Sequence, residues 1–236
     1  MAGTLITHKG AVRIEKTELM RIGTPSPTKS WRPIPHSVLV NTLGEVLSTR
    51  GLAVKREEYA IQRNGNILFG VLDLNWGETA DYYAAIGLRT SNDKSFCLQI
   101  AIGLRVFICD NLSFHGDLIA LKRRHTAGLE LAEELSVGIQ RYELSYPQLE
   151  KGIQRLKQCE MSLTETREML FNVFAFRIVP VKLFHHVAAP YIRTPDRVTL
   201  IPVWEVHNAF TNALKKLSPG VAFDANVKLG RFFGLN

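Results

Sequence analysis

Residues 82–116 read YYAAIGLRTSNDKSFCLQIAIGLRVFICDNLSFHG, and this stretch decides the fold. Two strand-like runs, Tyr82–Arg89 and Leu98–Cys109, lie on either side of a polar cluster at Thr90–Ser95. A second polar cluster, Cys109–Asn111, follows directly. Because functional side chains are usually carried by loops on a rigid scaffold, these strand ends are the first place to expect a site.

A β-hairpin is predicted immediately before this stretch. Leu52–Arg63 and Ile67–Trp76 are strand-like and are joined by Asn64-Gly65-Asn66, where Asn-Gly is the strongest short hairpin signal. The apolar alternation slips near Lys55–Glu58, which predicts a β-bulge. With the two central runs, the hairpin predicts an antiparallel sheet of about four strands.

The segment before the hairpin predicts a covering loop and a helix. Thr24–Pro35 contains four prolines and reads as an extended linker, which Trp31 is expected to anchor to the body of the protein. Pro35–Arg50 has helical apolar spacing, and Gly51 is its stop signal. His36 falls in the first turn, where a capping or surface histidine is expected rather than a catalytic one.

After the central stretch the apolar period becomes helical. The stripe begins after Asp117 and is formed by Leu118, Leu121, His125, Leu129, Ala132, Leu135 and Ile139. It predicts an amphipathic helix of about six turns with His125 in the core or at its boundary. Lys122, Arg123 and Arg124 would occupy its first turns. Since cations at a helix start oppose the macrodipole, their presence there favours an external anionic partner.

Three further helices are predicted in the C-terminal half. Tyr146–Glu160 has Pro147 in its first turn, Ser162-Leu-Thr-Glu165 resembles a capping box that opens a helix to about Arg177, and Val203–Leu217 is the last. The predicted class is therefore α+β, with an antiparallel sheet flanked by helices and a helical C-terminal half. The predicted organisation is an N-terminal arm and Pro-rich linker (1–35), a single α+β domain (36–217) and a basic, aromatic tail (218–236).

Composition restricts the function classes. The chain of 236 residues has a net charge of +7 and a pI near 9.4, which favours anionic partners such as nucleic acid. No apolar run is long enough to span a membrane, and no signal peptide is recognised. Three cysteines without metal-ligand spacing are typical of a reducing cytoplasm.

No motif for a specific chemistry is present. His185-His186 lacks a third ligand at metal-site spacing, so neither a metal nor a cofactor is predicted. A candidate polar site can be assembled from residues at the strand ends and the following segment: Ser91, Asn92, Asp93, Asp110, Asn111 and His125. Such residues commonly form turns, although Asp93, Lys94 and Asp110 could also serve a metal-dependent nuclease or nucleotide hydrolase.

Several segments resemble a known family. They are Trp31-Arg-Pro-Ile-Pro-His36, Arg89–Ser95, Phe107–Gly116, Arg123-Arg-His-Thr126 and Trp204–Thr211. Their order and spacing resemble the phage/plasmid-like family of a domain of unknown function, carried by plasmids, prophages and other mobile elements. The resemblance covers roughly residues 30–215. Members more usually have His at the position of Asn92, and the family implies no established activity and no catalytic residues.

These observations favour a non-enzymatic protein that binds single-stranded DNA for annealing or recombination, acting as a homo-oligomer. The coarse order of helix, hairpin-rich sheet and long helix is similar to that of the Rad52-like annealing proteins of phages, an analogy of fold. The predicted DNA contacts are Lys94, Arg105, Lys122, Arg123 and Arg124. The alternatives are a counter-defence factor that binds a host defence protein through an exposed apolar patch, and the hydrolase described above.

Overall fold

The computed structural model describes residues 11–76, 82–106, 111–192 and 200–235. The chain divides into two compact units, one formed by Met1–Leu112 and Leu118–Leu144, the other by Ser113–Asp117 and Ser145–Asn236. Compact units can lie within one domain, so the predicted domain bounds stay predictions. The α+β class with a helical C-terminal half is confirmed.

A six-stranded antiparallel sheet forms the framework of the fold, and its strands are ordered as they occur in the chain. The strands are β1 Val12–Ile14, β2 Val54–Gln62, β3 Ile67–Leu74, β4 Tyr82–Ser91, β5 Leu98–Val106 and β6 Asn111–Arg123. The four predicted strands correspond to β2–β5. The two additional strands, β1 and β6, lie at the two ends of the sheet.

The predicted hairpin and its bulge are confirmed. Gln62 pairs with Ile67 across the turn, and the register shifts between Val54 and Arg56. Gly65 lies in the turn with a φ of +83°. This backbone conformation favours glycine because it places a Cβ too close to the neighbouring carbonyl oxygen.

The helices of the structure are only partly those predicted. They are α1 His36–Thr49, α2 Leu131–Gln158, α3 Leu163–Ala175, α4 Phe184–Ile192, α5 Val203–Leu214 and α6 Pro219–Phe232. The predicted α1 is confirmed, as is the capping box of α3, in which Ser162 and Glu165 each bind the other's backbone N–H. The chain also forms a 3₁₀ turn, Val181–Leu183, between α3 and α4. A two-stranded ladder pairs β7 Glu160–Met161, which precedes α3, with β8 Ile201–Pro202, which precedes α5.

The predicted helix beginning near Asp117 is wrong, because the chain continues as β6 to Arg123 and α2 begins only at Leu131. Ala120 and Leu121 are adjacent in sequence and both buried. Gly138 of α2 lies against Leu121, where an added Cβ would be 3.2 Å from that side chain's Cβ. A strand buried on both faces loses the alternation of apolar and polar residues, and its apolar spacing can then imitate a helix.

The predicted second helix is also not separate. Pro147 lies inside α2, which runs for 28 residues without a break. A proline removes one backbone donor and tends to kink a helix, which is why a helix start was predicted there. Here the apolar stripe continues past it, since Tyr142, Tyr146, Leu149 and Ile153 are all buried.

The predicted C-terminal tail forms α6, with Phe233 and Leu235 buried. Arg155 donates to the carbonyl oxygens of Phe233 and Gly234, at 3.0 and 2.6 Å, and so satisfies acceptors at the end of this helix. Phe233 therefore serves packing. Among the described residues, no helix combines the length and apolar character required to cross a bilayer.

Candidate nucleic-acid interface

The polar cluster after β4 is largely buried, unlike an ordinary surface turn. Thr90, Ser91 and Asn92 each expose 3% or less of their surface, whereas Lys94 and Ser95 are exposed. Buried polar groups are stable only when hydrogen-bonded, so the partners of these side chains reveal their role.

Asn92 holds the Pro-rich segment against the sheet. Its Oδ1 accepts from the backbone N–H of Ile34 at 3.2 Å, and its Nδ2 donates to the carbonyl of the same residue at 2.9 Å. Its own backbone N–H donates to the carbonyl of Asn66 in the β2–β3 turn at 2.7 Å. One residue thus connects the Pro-rich segment, the hairpin turn and the end of β4.

Two buried histidines complete this network. His36 donates from Nε2 to the carbonyl of Gly65 at 2.7 Å, and Nε2 of His125 lies 2.8 Å from Oγ1 of Thr90. Burial lowers the pKa of both imidazoles. The pKa of His125 is lowered to about 4, because repulsion by the charge of His36 adds to the effect of burial. His125 is buried as predicted. The prediction that His36 is a capping or surface residue is wrong, because its ring is buried against the hairpin turn.

Asp93 anchors the exposed part of the cluster. Oδ1 accepts from Oγ of Ser91 at 2.8 Å, from the backbone N–H of Ser95 at 3.0 Å and from the Ser95 hydroxyl, while Oδ2 accepts from Arg63 at 3.0 Å. Burial alone would raise the pKa of this carboxyl, but the hydrogen bonds from Ser95, Ser91 and Arg63 lower it well below its usual range. The carboxylate is therefore ionised, and both of its oxygens take part in holding the turn.

Trp31 and Lys94 meet beside this anchored turn. The Lys94 ammonium lies 4.7 Å from the centroid of the Trp31 ring, a cation–π contact. Trp31 is half-buried and pairs through its backbone with Thr126, and the N–H of Arg32 donates to the carbonyl of His125 at 3.0 Å. The predicted anchoring role of Trp31 is confirmed by this pairing.

The cations at 122–124 lie at the end of β6 and in the loop after it, so the prediction of a helix start is wrong for them. Arg123 forms an ion pair with Glu134 of α2 at 2.7 Å and is half-buried. Lys122 and Arg124 are exposed, and no carboxylate pairs with either among the described residues. Alternation along the chain explains the difference, since Arg123 points toward α2 and its two neighbours point away from it.

We define the basic surface as the half-buried Trp31 together with the exposed cations of the segments that meet there, which are Arg32, Lys94, Lys122 and Arg124. It combines cations that can contact phosphate with an aromatic ring. Arg105 lies in β5 and Asn111 opens β6, but their side chains and the whole of Asp110 fall outside the described part of the structure. In the described ranges, no group of three His, Cys, Asp or Glu side chains could hold a metal ion.

Sequence reasoning missed Trp31 and Arg32 as part of this surface. The sequence predicts only an anchoring role for Trp31 and assigns no DNA contact to Arg32. The pairing of Trp31 with Thr126 spans 95 residues of chain, which local patterns do not report. No protein-family model, no curated protein and no solved structure matches the chain. The family resemblance therefore stays a prediction, and the functional argument depends on the basic surface.

Replacing Asn92 with Ala should lower the free energy of unfolding by about 2–4 kcal/mol, because the buried N–H and carbonyl of Ile34 would lose their partners. Asn66→Ala is the matched control, since its side chain makes only an exposed hydrogen bond to the Arg63 carbonyl and should cost less than about 1 kcal/mol. Urea denaturation followed by circular dichroism measures both. Equal stability of the two variants would contradict the role assigned to Asn92.

Stability should also fall as the pH is lowered from 7.5 to 5. The folded protein keeps His36, His125 and the buried His207 neutral, with the pKa values of the last two lowered to about 4 and 3, whereas the unfolded chain protonates them below about pH 6.5. Their stabilisation is complete above that pH and is lost on acidification. His125→Gln should reduce the slope of unfolding free energy against pH by about 1 kcal/mol per pH unit between pH 6 and 5. The exposed His186→Gln is the control, and an unchanged slope in His125→Gln would contradict the assignment.

Proposed function

We propose that the protein binds nucleic acid through the basic surface, with a preference for single-stranded DNA, and acts without catalysis in annealing or recombination. The observation that carries this proposal is the contact of the Lys94 ammonium with the half-buried ring of Trp31. Two further exposed cations are close to it along the chain, since Arg32 follows Trp31 and Arg124 lies two residues before Thr126, the backbone partner of Trp31. Cations neutralise phosphates regardless of sequence, and an accessible aromatic ring offers a face to an unpaired base.

The charge distribution supports an anionic ligand. The chain carries a net charge of +7, and Asp93, the carboxylate closest in sequence to Lys94, forms an ion pair with Arg63 and accepts hydrogen bonds from Ser91 and Ser95. No carboxylate among the described residues pairs with Lys122 or Arg124, so an external anionic partner explains their positions better than a contribution to stability does. Arg105, on the central sheet, remains a proposed contact.

A hydrolase centred on Asp93 is less well supported than a binding protein. Both oxygens of this carboxylate already accept hydrogen bonds from the turn that they hold together. A general base or metal ligand needs a free lone pair directed toward the substrate. The geometry therefore favours an anchoring role for Asp93, with the exposed Lys94 presented by the turn.

The resemblance to the phage/plasmid-like family supports the same proposal. Genes carried by plasmids and prophages commonly serve replication and recombination of the element, for which single strands must be bound. We therefore propose that the chain belongs to this family and has an annealing role. The resembling segments 31–36, 89–95 and 123–126 contain the hydrogen-bond network of Asn92 and His125 and most of the basic surface.

The double variant Lys122→Ala/Arg124→Ala should weaken binding of a labelled single-stranded oligonucleotide about tenfold at low salt. The plot of log affinity against log salt concentration has a negative slope, and its magnitude should decrease by about 1.4, because two phosphate contacts are lost. Fluorescence anisotropy at several salt concentrations measures both quantities, with single- and double-stranded oligonucleotides of equal length.

The matched control is Lys182→Ala/Lys216→Ala, which removes the same charge from exposed positions of the second unit. It should leave the salt slope unchanged. Arg123→Ala should affect stability more than binding, because Arg123 is paired with Glu134. If the wild type fails to bind at low salt, or if both double variants lose affinity equally, the proposed interface is wrong.

A second candidate function, protein–protein interaction, is favoured by exposed apolar side chains of the second unit. Phe171 on α3 and Phe176 just after it each expose 68% of their surface, and Val181 exposes 66%. Large exposed aromatic side chains close together in sequence are typical of interaction surfaces. We propose a second copy of the chain as the occupant, since annealing brings together two strands that are bound separately.

Phe171→Ser/Phe176→Ser should therefore reduce self-association measured by sedimentation velocity at several protein concentrations. Exposed side chains contribute little to folding, so the unfolding midpoint should change little. Leu144→Ser, which replaces another exposed apolar side chain, is the control. A wild-type protein that stays monomeric at every concentration would exclude this use of the exposed side chains and leave a host protein as the partner to be sought.

A further inference from the structure

We infer that the Trp31 ring is a stacking site for one unpaired nucleobase, and that Lys94 occupies this site in the free protein. On binding, the base replaces the ammonium on the ring, and Lys94 turns to the adjacent phosphate. This inference rests on the proposed function and deepens it, because it names the ligand group and the residue that recognises it.

The position of the ring is fixed before any ligand binds. Trp31 pairs with Thr126, its carbonyl accepts from the N–H of Thr28 at 2.8 Å, and the next residue donates to the carbonyl of His125. Three residues further on, Ile34 is held by the Asn92 side chain. A ring on a rigid backbone loses little conformational freedom on binding, which is what a stacking platform requires.

Lys94 is presented to this ring by an anchored turn. It has a φ of +65°, an uncommon conformation for a residue with a Cβ, and the neighbouring Asp93 is held by Ser91, Ser95 and Arg63. The lysine stem is nevertheless exposed and has four rotatable bonds. The backbone can therefore stay in place while the ammonium moves from the ring to a phosphate.

Replacement of the Lys94 ammonium by a base on the Trp31 ring is favourable, as the typical strengths of the two contacts show. An exposed cation–π contact changes an equilibrium constant about two- to fivefold, whereas a base stacked on an aromatic side chain changes it about 5- to 150-fold. The displaced ammonium also gains a phosphate partner. Bases in a duplex are already stacked on their neighbours and present no free face, so the site selects single strands.

The test compares oligothymidylate with an abasic oligonucleotide of the same length and charge, using anisotropy at fixed salt. Wild-type protein should bind oligothymidylate about tenfold more tightly than the abasic chain. Trp31→Ala should lose this tenfold preference and keep the abasic affinity and the salt slope, whereas Trp31→Phe should retain most of the preference. Oligouridylate of equal length is the third arm, and affinity no greater than that for oligothymidylate supports DNA as the ligand.

The outcomes separate this inference from the function on which it rests. Absence of binding to any oligonucleotide would overturn the proposed function, while equal binding of thymidylate and abasic chains by the wild type would overturn only the stacking site. A clear preference for uridylate would overturn the assignment to DNA. If Trp31→Ala fails to fold, the fluorescence of Trp31 in the Trp76→Phe/Trp204→Phe variant tests the stacking site instead. Oligothymidylate should quench this fluorescence and the abasic chain should not. Equal quenching by both would overturn the stacking site.

Discussion

The paired hydrogen bonds between the Asn92 carboxamide and Ile34 are the constraint on which the arrangement of the first unit depends. Ile34 lies between Pro33 and Pro35 and has the one backbone donor in this tripeptide. Because Ile34 is buried, both its N–H and its carbonyl need partners. A carboxamide provides a donor and an acceptor in one plane, as a peptide group does. The Asn92 side chain therefore takes the place of a partner strand, which cannot pair with this segment because the prolines on both sides of Ile34 have no backbone N–H.

The rest of the basic surface follows from this attachment. Once Ile34 is held, the chain before it lies along residues 125–126, where Trp31 pairs with Thr126. The chain after it enters α1, whose first residue, His36, bonds to the hairpin turn. Four segments that are distant in sequence meet at one corner of the sheet, and Lys94 and Arg124 are carried there by the backbone. Within this network the side chains of Thr90, Asn92 and Asp93 are hydrogen-bonded, and the cations Lys94 and Arg124 are exposed.

Elements with local signals could be predicted from the sequence. The Asn-Gly turn, the Gly51 stop of α1 and the capping box at Ser162 depend on residues within a few positions of one another, and each is present in the structure. β6 could not be predicted, because burial on both faces depends on what α2 covers. The continuity of α2 through Pro147 likewise depends on packing of its buried stripe, which outweighs the loss of one donor.

The sequence predicted most of the residues of the candidate site but not how they are arranged in space. Lys94, Lys122 and Arg124 are exposed as a DNA contact requires, yet Arg123 is paired with Glu134, a partner that lies beyond the local pattern. Asn92, Asp93 and His125 were grouped as a polar site, and the structure places them in one network, where they hold the backbone. Trp31 was recognised as an anchor, but contact of its ring with Lys94 depends on a turn 63 residues away.

The order of the sheet bears on the way the chain folds during synthesis. Each strand from β1 to β6 lies beside the strand before it in the sheet, although 39 residues separate β1 from β2. From β2 onward, every strand can pair with its predecessor soon after it leaves the ribosome, because the loop to be closed is short. The pairing of Trp31 with Thr126 is different, since it must wait until the sheet has been made. The segment around Trp31 thus docks only after Thr126 has been made, and the basic surface exists only in a chain whose sheet is complete.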